Sequence, residues 1–468
     1  MRRGSAALWM APVFGLVAAV TPSARAQLAS PPTASEGGAD LSSRSPSGPA
    51  AAAAPESRPM TVDECVALAL DHNPDALSSD FDVASADAAR AGVRGQFGPK
   101  LQADGTVQQY TSPYALQFAS LGSFTVRDAF TWTFGATMTQ PLTPLWSTLE
   151  QYKAQAFGVD IAAIKRIETR RQVSFDVVQS YYRLLESERL AEVAEASVTQ
   201  LEAEKRQAQS NFANGVIAKN DLLRADLALA NARQRSIQQS GAVVLARAQL
   251  AQSMGLAPAQ GVEAVPFSGA PPVIDEVSLA AAEAHALARR PEVRELARSI
   301  DQAEAGVRYA RTKLLPQLNV VGNYTHTAGS PFVQVNAAYV GLVGSWDVWD
   351  WGTTESAIAQ ADAQLHQARL ARRKVEDQVR VEARQAFVNA QTARDALDVA
   401  KVAVSQAEEN FRIVTKKFEN AAATSFDVVD AEALLTQARG QVETALYDYL
   451  IARAALQRAT GAVLPGGE

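Results

Sequence analysis

The second half of this chain repeats the first half at two fixed offsets, which indicates one structural unit built twice. The front pairs lie 217 positions apart and the back pairs 206. The difference, 217 − 206 or 11 residues, must fall in the segments near 102–140 and 319–346. A repeat of this length is a duplication of a domain-sized element rather than a solenoid module. The pairs include Pro74 with Pro291 and Pro99 with Pro316 at the front, and Asp221 with Asp427 and Gly255 with Gly461 at the back.

Residues 1–26 have the pattern of a secretory signal peptide. Arg2 and Arg3 precede an apolar stretch of 15 residues, and Ala24-Arg25-Ala26 provides a cleavage site before Gln27. A membrane-spanning helix would need about 20 apolar residues, so an anchor is disfavoured. We therefore expect the chain to be exported from the cytoplasm.

Residues 27–59 are rich in Pro, Ala and Ser, which predicts a disordered arm.

The charge and the motifs of the exported chain argue against several functions. Removing the signal leaves 44 − 3 = 41 basic against 50 acidic side chains, a balance that argues against nucleic acid as a partner. Cys65 is the only cysteine and the four histidines are scattered, and no nucleophile, phosphate-loop or paired metal-ligand motif occurs. We expect no enzyme, cofactor or metal site.

Helical spacing continues far longer than in ordinary globular proteins. Residues 148–211 contain no Pro, and the same holds for the second copy at 354–417. At 1.5 Å per residue such a helix is roughly 95 Å long, whereas an average helix has about 11 residues. A return helix follows each long one, and a shorter helix precedes each strand pair; stacked end to end, these two should form a second rod. The helices alone leave a periplasmic coiled-coil rod equally open.

Four predicted strands favour a membrane protein over a periplasmic rod. They lie near residues 101–110, 130–141, 318–326 and 335–348, and the second alternates Phe130, Trp132 and Phe134 with threonines. Ten alternating residues are the length of one tilted transmembrane strand, with its apolar face toward lipid and its polar face toward a wet lumen. The last strand alternates poorly.

Tryptophans lie in or just after these strands, as in the aromatic belts of membrane interfaces. The residues concerned are Trp132, Trp346, Trp349 and Trp351. Four strands cannot close a barrel, and an open sheet in lipid would leave backbone groups unpaired. Closure must then come from other copies, and three copies would supply twelve strands, an even number in the usual range.

These features divide the chain into six parts. We expect the signal at 1–26, the arm at 27–59, a first repeat at 60–258, a linker at 259–277, a second repeat at 278–462 and a tail at 463–468.

Together, the duplicated order of helix, strand, strand, helix, helix, the turn at 346–352 and the tip at 418–430 resemble the TolC-like outer-membrane efflux protein family. The resemblance implies an α plus membrane β-barrel fold: a homotrimer with a twelve-stranded barrel, continued by a periplasmic α-helical barrel. It also implies an outer-membrane location in a Gram-negative bacterium. The function implied is a passive exit duct of a tripartite efflux or type I secretion system. The implied partners are a periplasmic adaptor, a pump of the resistance-nodulation-division or ATP-binding-cassette type, and outer-membrane lipid.

A soluble periplasmic adaptor or scaffold is the alternative. An adaptor should contain one helical hairpin flanked by small β-domains, not two copies with an alternating aromatic strand pair.

Asp427 and Asp430 are the candidate gate. They lie three residues apart on one helical face, so three copies would place six carboxylates at the periplasmic mouth. A capping role is the alternative: with Thr424 as the N-cap of the helix, Asp427 stands at the third helical position. Capping explains Asp427 well but explains Asp430 poorly. Aligned with the family, the pair corresponds to the aspartates that constrict the closed entrance.

The helical tips are the expected docking sites for the adaptor. They contain Asn214, Gly215 and Val216 in the first copy and Asn420 and Ala421 in the second. Some family members latch the tips shut with an Arg, at the position where this chain has Ala423. Lys219 and Arg224 are the local cations that could replace it.

Overall fold

The structure is a computed structural model that describes residues 59–118, 122–259, 261–420 and 422–464. The predicted signal peptide, nearly all of the arm and most of the tail lie outside these ranges. The helices described are α1 (Val62–His72), α2 (Pro74–Arg94), α3 (Pro144–Ala213), α4 (Lys219–Ser253), α5 (Leu279–Arg289), α6 (Pro291–Thr312), α7 (Thr353–Glu419) and α8 (Ser425–Thr460). The strands are β1 (Lys100–Gln109), β2 (Tyr114–Phe118), β3 (Gly122–Arg127), β4 (Phe130–Pro141), β5 (Gln317–Ala328) and β6 (Asn336–Ser345).

Two very long helices dominate the chain, as predicted. Helix α3 has 70 residues and α7 has 67. The sequence patterns did not give the bounds of the separate helices α1 and α5, which end two residues before Pro74 and Pro291 respectively. Proline lacks the N–H that a continuing helix needs but suits a first helical position, so each of these prolines ends one helix and begins the next.

The return helix and the shorter helix of each repeat pack along one long helix, which agrees with the predicted second rod. Helices α4 and α2 both contact α3, while α8 and α6 both contact α7 and also contact α3 of the first repeat. Asn73 lies at the joint of the first repeat, the place where the end of α4 meets the start of α2. Its side-chain amide donates to the Ser253 carbonyl at 2.9 Å, and its side-chain oxygen accepts from the Asp75 N–H at 2.8 Å. One side chain thus caps the end of α4 and the start of α2.

A glycine with positive φ completes each joint. Gly255 has φ +74° and Gly461 has φ +76°. A Cβ on Gly255 would lie 2.5 Å from the His72 carbonyl oxygen, and one on Gly461 would lie 2.7 Å from Arg289 Cβ. The repeat-equivalent glycines therefore permit both the left-handed turn and the close approach of the next helix.

The four long strands form one antiparallel sheet in the order β1-β4-β5-β6. The two repeats join where β4 pairs with β5, with Gly135 opposite Thr325. The fourth strand pairs in register only from Asn336 to Ser345, so residues 346–348 of the strand predicted near 335–348 lie beyond its observed end. In the described residues, β1 and β6 each keep one edge without a partner strand.

The connection between β1 and β4 contains the hairpin of β2 and β3, which lies between two of the predicted strands and was not itself predicted. Its counterpart between β5 and β6 is short, at 329–335, so the hairpin accounts for the greater length of the first repeat. The short alternation of Leu116, Phe118 and Phe124 was the available signal, but turn-forming residues around it favoured a loop.

The main core lies where α1, α3, α4 and α8 meet. It includes Cys65, Leu184, Leu250 and Tyr447, each at most 1% exposed. Burial raises the pKa of the Cys65 thiol to about 12, which leaves the thiol protonated and unreactive. None of the described helices combines the length and the apolar character needed to cross a membrane.

Candidate functional site

The two helical tips have repeat-equivalent ends. Helix α3 ends at the C-cap Asn214 and α7 at the C-cap Asn420, whose side-chain amide donates to the Lys416 carbonyl at 2.8 Å. Gly215 has φ +72°, so it turns the chain out of the helix without steric strain, and Val216 beside it is 66% exposed. Ala421 lies outside the described residues. The tips thus present exposed polar and apolar groups beyond the helix ends.

Asp427 forms the capping box anticipated for it. Its carboxylate accepts from the Thr424 backbone N–H and from the Thr424 hydroxyl, both at 2.8 Å, while the Asp427 N–H donates to that hydroxyl oxygen at 3.3 Å. These bonds, the backbone one foremost, hold the pKa of Asp427 below its ordinary value, and Lys417 adds to the effect. The carboxylate is therefore ionised and fixed at the start of α8.

Asp430 lies one helical turn further on and is exposed. It makes no hydrogen bond or ion pair with any described residue. Its spacing of three from Asp427 places both carboxylates on one face of α8. Capping thus accounts for Asp427 only, and Asp430 has no intramolecular role that the described residues reveal.

The two candidate latch cations differ in their contacts. The Arg224 guanidinium lies over the Phe426 ring, with 5.4 Å between its carbon and the ring centroid. This cation–π contact joins the start of α4 to the start of α8. Lys219 is exposed and forms no ion pair with a described residue. Within one copy, Arg224 bridges the two tips through an aromatic ring rather than through a carboxylate.

A buried carboxylate near the tips was missed by the sequence analysis. Glu432 on α8 is 3% exposed, and its Oε1 accepts from the Ser197 hydroxyl of α3 at 2.7 Å and from the Thr436 hydroxyl at 2.7 Å. The pKa of Glu204 on α3 is raised, first by burial and then by the charge of Glu432. The repeat offset of 206 pairs Glu432 with Asp226 and was the available signal. Asp226 also contacts α3, through an ion pair with Lys205 at 2.7 Å.

The sheet has two chemically different faces. Cross-strand partners share a face, so the register separates an apolar face from a polar one. The apolar face includes Leu101, Val107, Trp132, Phe134 and Met138, and the polar face includes Gln102, Asp104, Thr106, Gln108, Thr133 and Thr137. The predicted alternation of the first strand pair is present.

Three of the predicted interface tryptophans cluster where the sheet meets α7. Trp346 donates from Nε1 to the Leu314 carbonyl at 3.3 Å, and the rings of Trp349 and Trp351 meet edge to face at 5.8 Å. All three are at least 59% exposed. The fourth, Trp132, lies at the other end of the sheet against the His326 ring, at 4.8 Å between centroids. Two aromatic groups therefore lie near opposite ends of the sheet, the arrangement of membrane interfaces.

Comparison with known proteins agrees with this arrangement. A family model described as outer membrane efflux protein matches residues 65–256 and 284–462. The outer membrane efflux protein BepC of Brucella suis is 23% identical over 295 residues, which are 61% of this chain and 62% of BepC. The chain thus matches less than two thirds of the length of that curated relative.

Solved structures are similar in fold. The outer-membrane channel OprN has a TM-score of 0.73 at 18% identity, covering 86% of this chain and 90% of OprN. The Campylobacter jejuni CmeC outer membrane channel has a TM-score of 0.75 at 16% identity, covering 87% and 86%. The outer membrane protein VceC of Vibrio cholerae has a TM-score of 0.73 at 15% identity, covering 86% and 96%.

The predicted class of α-helices plus a membrane β-sheet is thereby confirmed, and so is the predicted family resemblance. The family match covers both repeats, most of the described chain. This chain belongs to the outer membrane efflux protein family, and it resides in the outer membrane with its helices extending into the periplasm.

Proposed function

We propose that three copies of this chain form a passive exit duct through the outer membrane, within a tripartite efflux or type I secretion system. The observation that carries the proposal is that the sheet and the helical part of the protomer each have two open sides. In the sheet, the open sides are β1 and β6. Since α3 contacts α4 and α8, and α8 contacts α7, the helices run in the order α4-α3-α8-α7, with α4 and α7 at the open sides.

Exposed apolar residues follow the open sides of the helices at spacings of seven or fourteen residues. On α4 they are Leu223, Ile237 and Val244, and on α7 they are Val381, Val388 and Val402. A seven-residue apolar repeat is the pattern that packs against another helix in a coiled coil. Joining α7 of one copy to α4 of the next, and β6 to β1, closes a ring without leaving an open edge. Three copies give twelve strands and twelve long helices or helix stacks.

The partners follow from the position of the tips. In a ring of this kind the tips lie at the periplasmic end, where a periplasmic adaptor and an inner-membrane pump of the resistance-nodulation-division or ATP-binding-cassette type would dock. The duct itself performs no chemistry, and the pump supplies energy. Asp427 and Asp430 would line the entrance, while Asn214, Gly215, Val216 and Asn420 would contact the adaptor.

The oligomeric state tests the proposal directly. Detergent-solubilised protein should have the mass of three chains by light scattering, migrate as a heat-modifiable band and conduct ions in planar bilayers. Ile237→Asp, which charges the apolar row on α4, should dissociate the trimer, whereas Gln238→Asp, next to that row, should not. A mature chain that is monomeric and soluble without detergent would refute the duct and favour a periplasmic scaffold.

Adaptor docking needs a separate measurement. We expect Val216→Asp to leave the trimer intact and to abolish co-purification of a periplasmic adaptor from the native envelope. Gln238→Asp, an exposed position in the middle of α4 and away from the tips, is the matched control. Equal recovery of the adaptor with both variants would refute docking at the tips.

A further inference from the structure

The hairpin of β2 and β3 has one apolar face and one small, polar face. Cross-strand register pairs Leu116 with Phe124 and Ala115 with Thr125. The apolar face contains Tyr114, Leu116, Phe118 and Phe124, each 43–53% exposed, and the other face contains Ala115, Gln117, Ser123 and Thr125. The Phe118 and Phe124 rings meet edge to face at 6.1 Å. The described part of this copy offers nothing that covers these rings.

A chain of contacts relates this apolar face to the faces of the main sheet. Tyr110 follows β1, and its hydroxyl donates to the Gln108 side chain at 2.6 Å, so both lie on the polar face. The Arg127 guanidinium stacks on the Tyr110 ring at 3.5 Å from the centroid. Arg127 pairs with Tyr114, the first member of the hairpin's apolar face. The apolar face of the hairpin is therefore on the same side as the polar face of the main sheet.

This orientation separates the hairpin from lipid. In the proposed barrel the apolar face of the sheet, with Val107 and Trp132, contacts lipid, and the polar face lines the lumen. The hairpin's rings lie on the lumen side, where lipid is absent. Leaving them in water is unfavourable, because burying apolar area stabilises by about 25 cal/mol per Å². Their partner must then be protein.

The dimensions allow the hairpins to reach one another. Twelve strands about 4.8 Å apart and tilted by about 40° give a barrel with a radius of about 12 Å. Strands of five and six residues extend about 17–20 Å. The hairpin leaves the end of the sheet remote from the helices, which is the outer mouth. Three hairpins that lean inward therefore meet at the barrel axis.

We propose that the apolar faces of the β2–β3 hairpins contact one another at the outer mouth, so that the partner of each hairpin is the same hairpin in the other two copies. The inference rests on the proposed trimer. Its consequence is an apolar narrowing of the duct at the end opposite the Asp427 and Asp430 tips. Apolar constrictions resist the passage of ions because water leaves them.

Cysteine cross-linking tests the contact. In a Cys65→Ala background, Phe118→Cys should form disulfide-linked dimers with a mild oxidant, whereas Gln117→Cys, on the opposite face of the same strand, should not. Light scattering is run on the same samples. A trimer in which Phe118→Cys stays uncross-linked, or in which Gln117→Cys cross-links equally, overturns this inference alone. A monomer overturns the proposed function together with it.

A second measurement tests lipid as the competing occupant. A nitroxide on Phe118→Cys should show strong spin–spin broadening in the trimer, and the broadening should be lost on dilution with unlabelled protein. Faster relaxation by oxygen than by a water-soluble nickel complex, without broadening, would place the hairpin against lipid and overturn the inference.

Ion conductance tests the narrowing without a cysteine variant. Single-channel current through the double variant Leu116→Asn, Phe124→Asn should exceed the current through Ser123→Asn. Equal currents would count against the narrowing.

Discussion

The Ser197 hydroxyl on α3 donates a 2.7 Å hydrogen bond to the buried Glu432 carboxylate on α8, joining the first helical hairpin to the second close to the tips. No cation of the described residues pairs with Glu432. In the first repeat the equivalent acid, Asp226, forms an ion pair with Lys205 of α3. Both acids thus attach a return helix to α3, one through a cation and one through hydroxyls. The α3–α8 contact near the tips therefore depends on neutral donors.

We expect Ser197→Ala to destabilise the protein, because the buried carboxylate loses one of its two hydroxyl donors. The loss should be about 1–3 kcal/mol, measured by denaturant unfolding or as a lower melting temperature. Ser187→Ala is the control, since the Ser187 hydroxyl bonds only to the Leu184 carbonyl of its own helix. Equal effects of the two substitutions would refute a specific role for the Ser197–Glu432 bond.

Glu204→Gln should stabilise the protein at neutral pH. Burial and the charge of Glu432 raise the folded-state pKa of Glu204 above its ordinary 4.5. The protonated form therefore favours folding below pH 4.5, and this contribution disappears as the pH rises through the raised pKa. The variant removes the charge, so its melting temperature should exceed that of the parent at about pH 7 and approach it at about pH 4. A constant difference at both pH values would contradict the prediction.

Asp430→Asn tests the gate without disturbing the cap. Asp430 has no described partner, so the substitution should leave stability unchanged, within about 0.5 kcal/mol. If the carboxylates line the entrance, single-channel conductance in planar bilayers should rise or block by multivalent cations should weaken. The double variant with Asp427→Asn should show a larger effect. Unchanged currents in both variants would count against the gate.

Thr424→Ala isolates the cap. It removes the hydroxyl from the capping box but keeps both acids, so we expect a loss of about 1 kcal/mol without a change in cation block. The low pKa of Asp427 adds a pH dependence: its contribution to folding is present above about pH 3.8 and is lost as the pH falls through the depressed folded pKa. The difference in stability between parent and Asp427→Asn should therefore shrink in acid.

Gly255→Ala should destabilise the joint between α4 and α2. The new Cβ would lie 2.5 Å from the His72 carbonyl oxygen at a residue with φ +74°, so backbone must move or strain. Gly306→Ala is the control, because a Cβ there meets nothing within 4 Å, and alanine favours a helix interior by about 0.5–1 kcal/mol. Thermal melts should show opposite shifts, and a harmless Gly255→Ala would refute the close approach at the joint.

Several features could be read from local patterns. The long helices followed from uninterrupted helical spacing, and the strand pair around Trp132 followed from alternation, because periodicity is a local property of the chain. Repeat offsets identified the equivalent joints at Gly255 and Gly461. The hairpin of β2 and β3 was missed, because its strands are short and turn-forming residues surround them.

The sequence by itself determined the duplication, the lengths of the helices, the capping of α8 and the presence of a two-faced sheet, since each depends on residues close together or on a repeated pattern. Only the tertiary structure decided which helices lie at the open sides, that Glu432 is buried against Ser197, and that the hairpin's apolar face shares a side with Gln108. These relationships join residues far apart in the chain, and their geometry arises from packing and strand register, which no local pattern specifies.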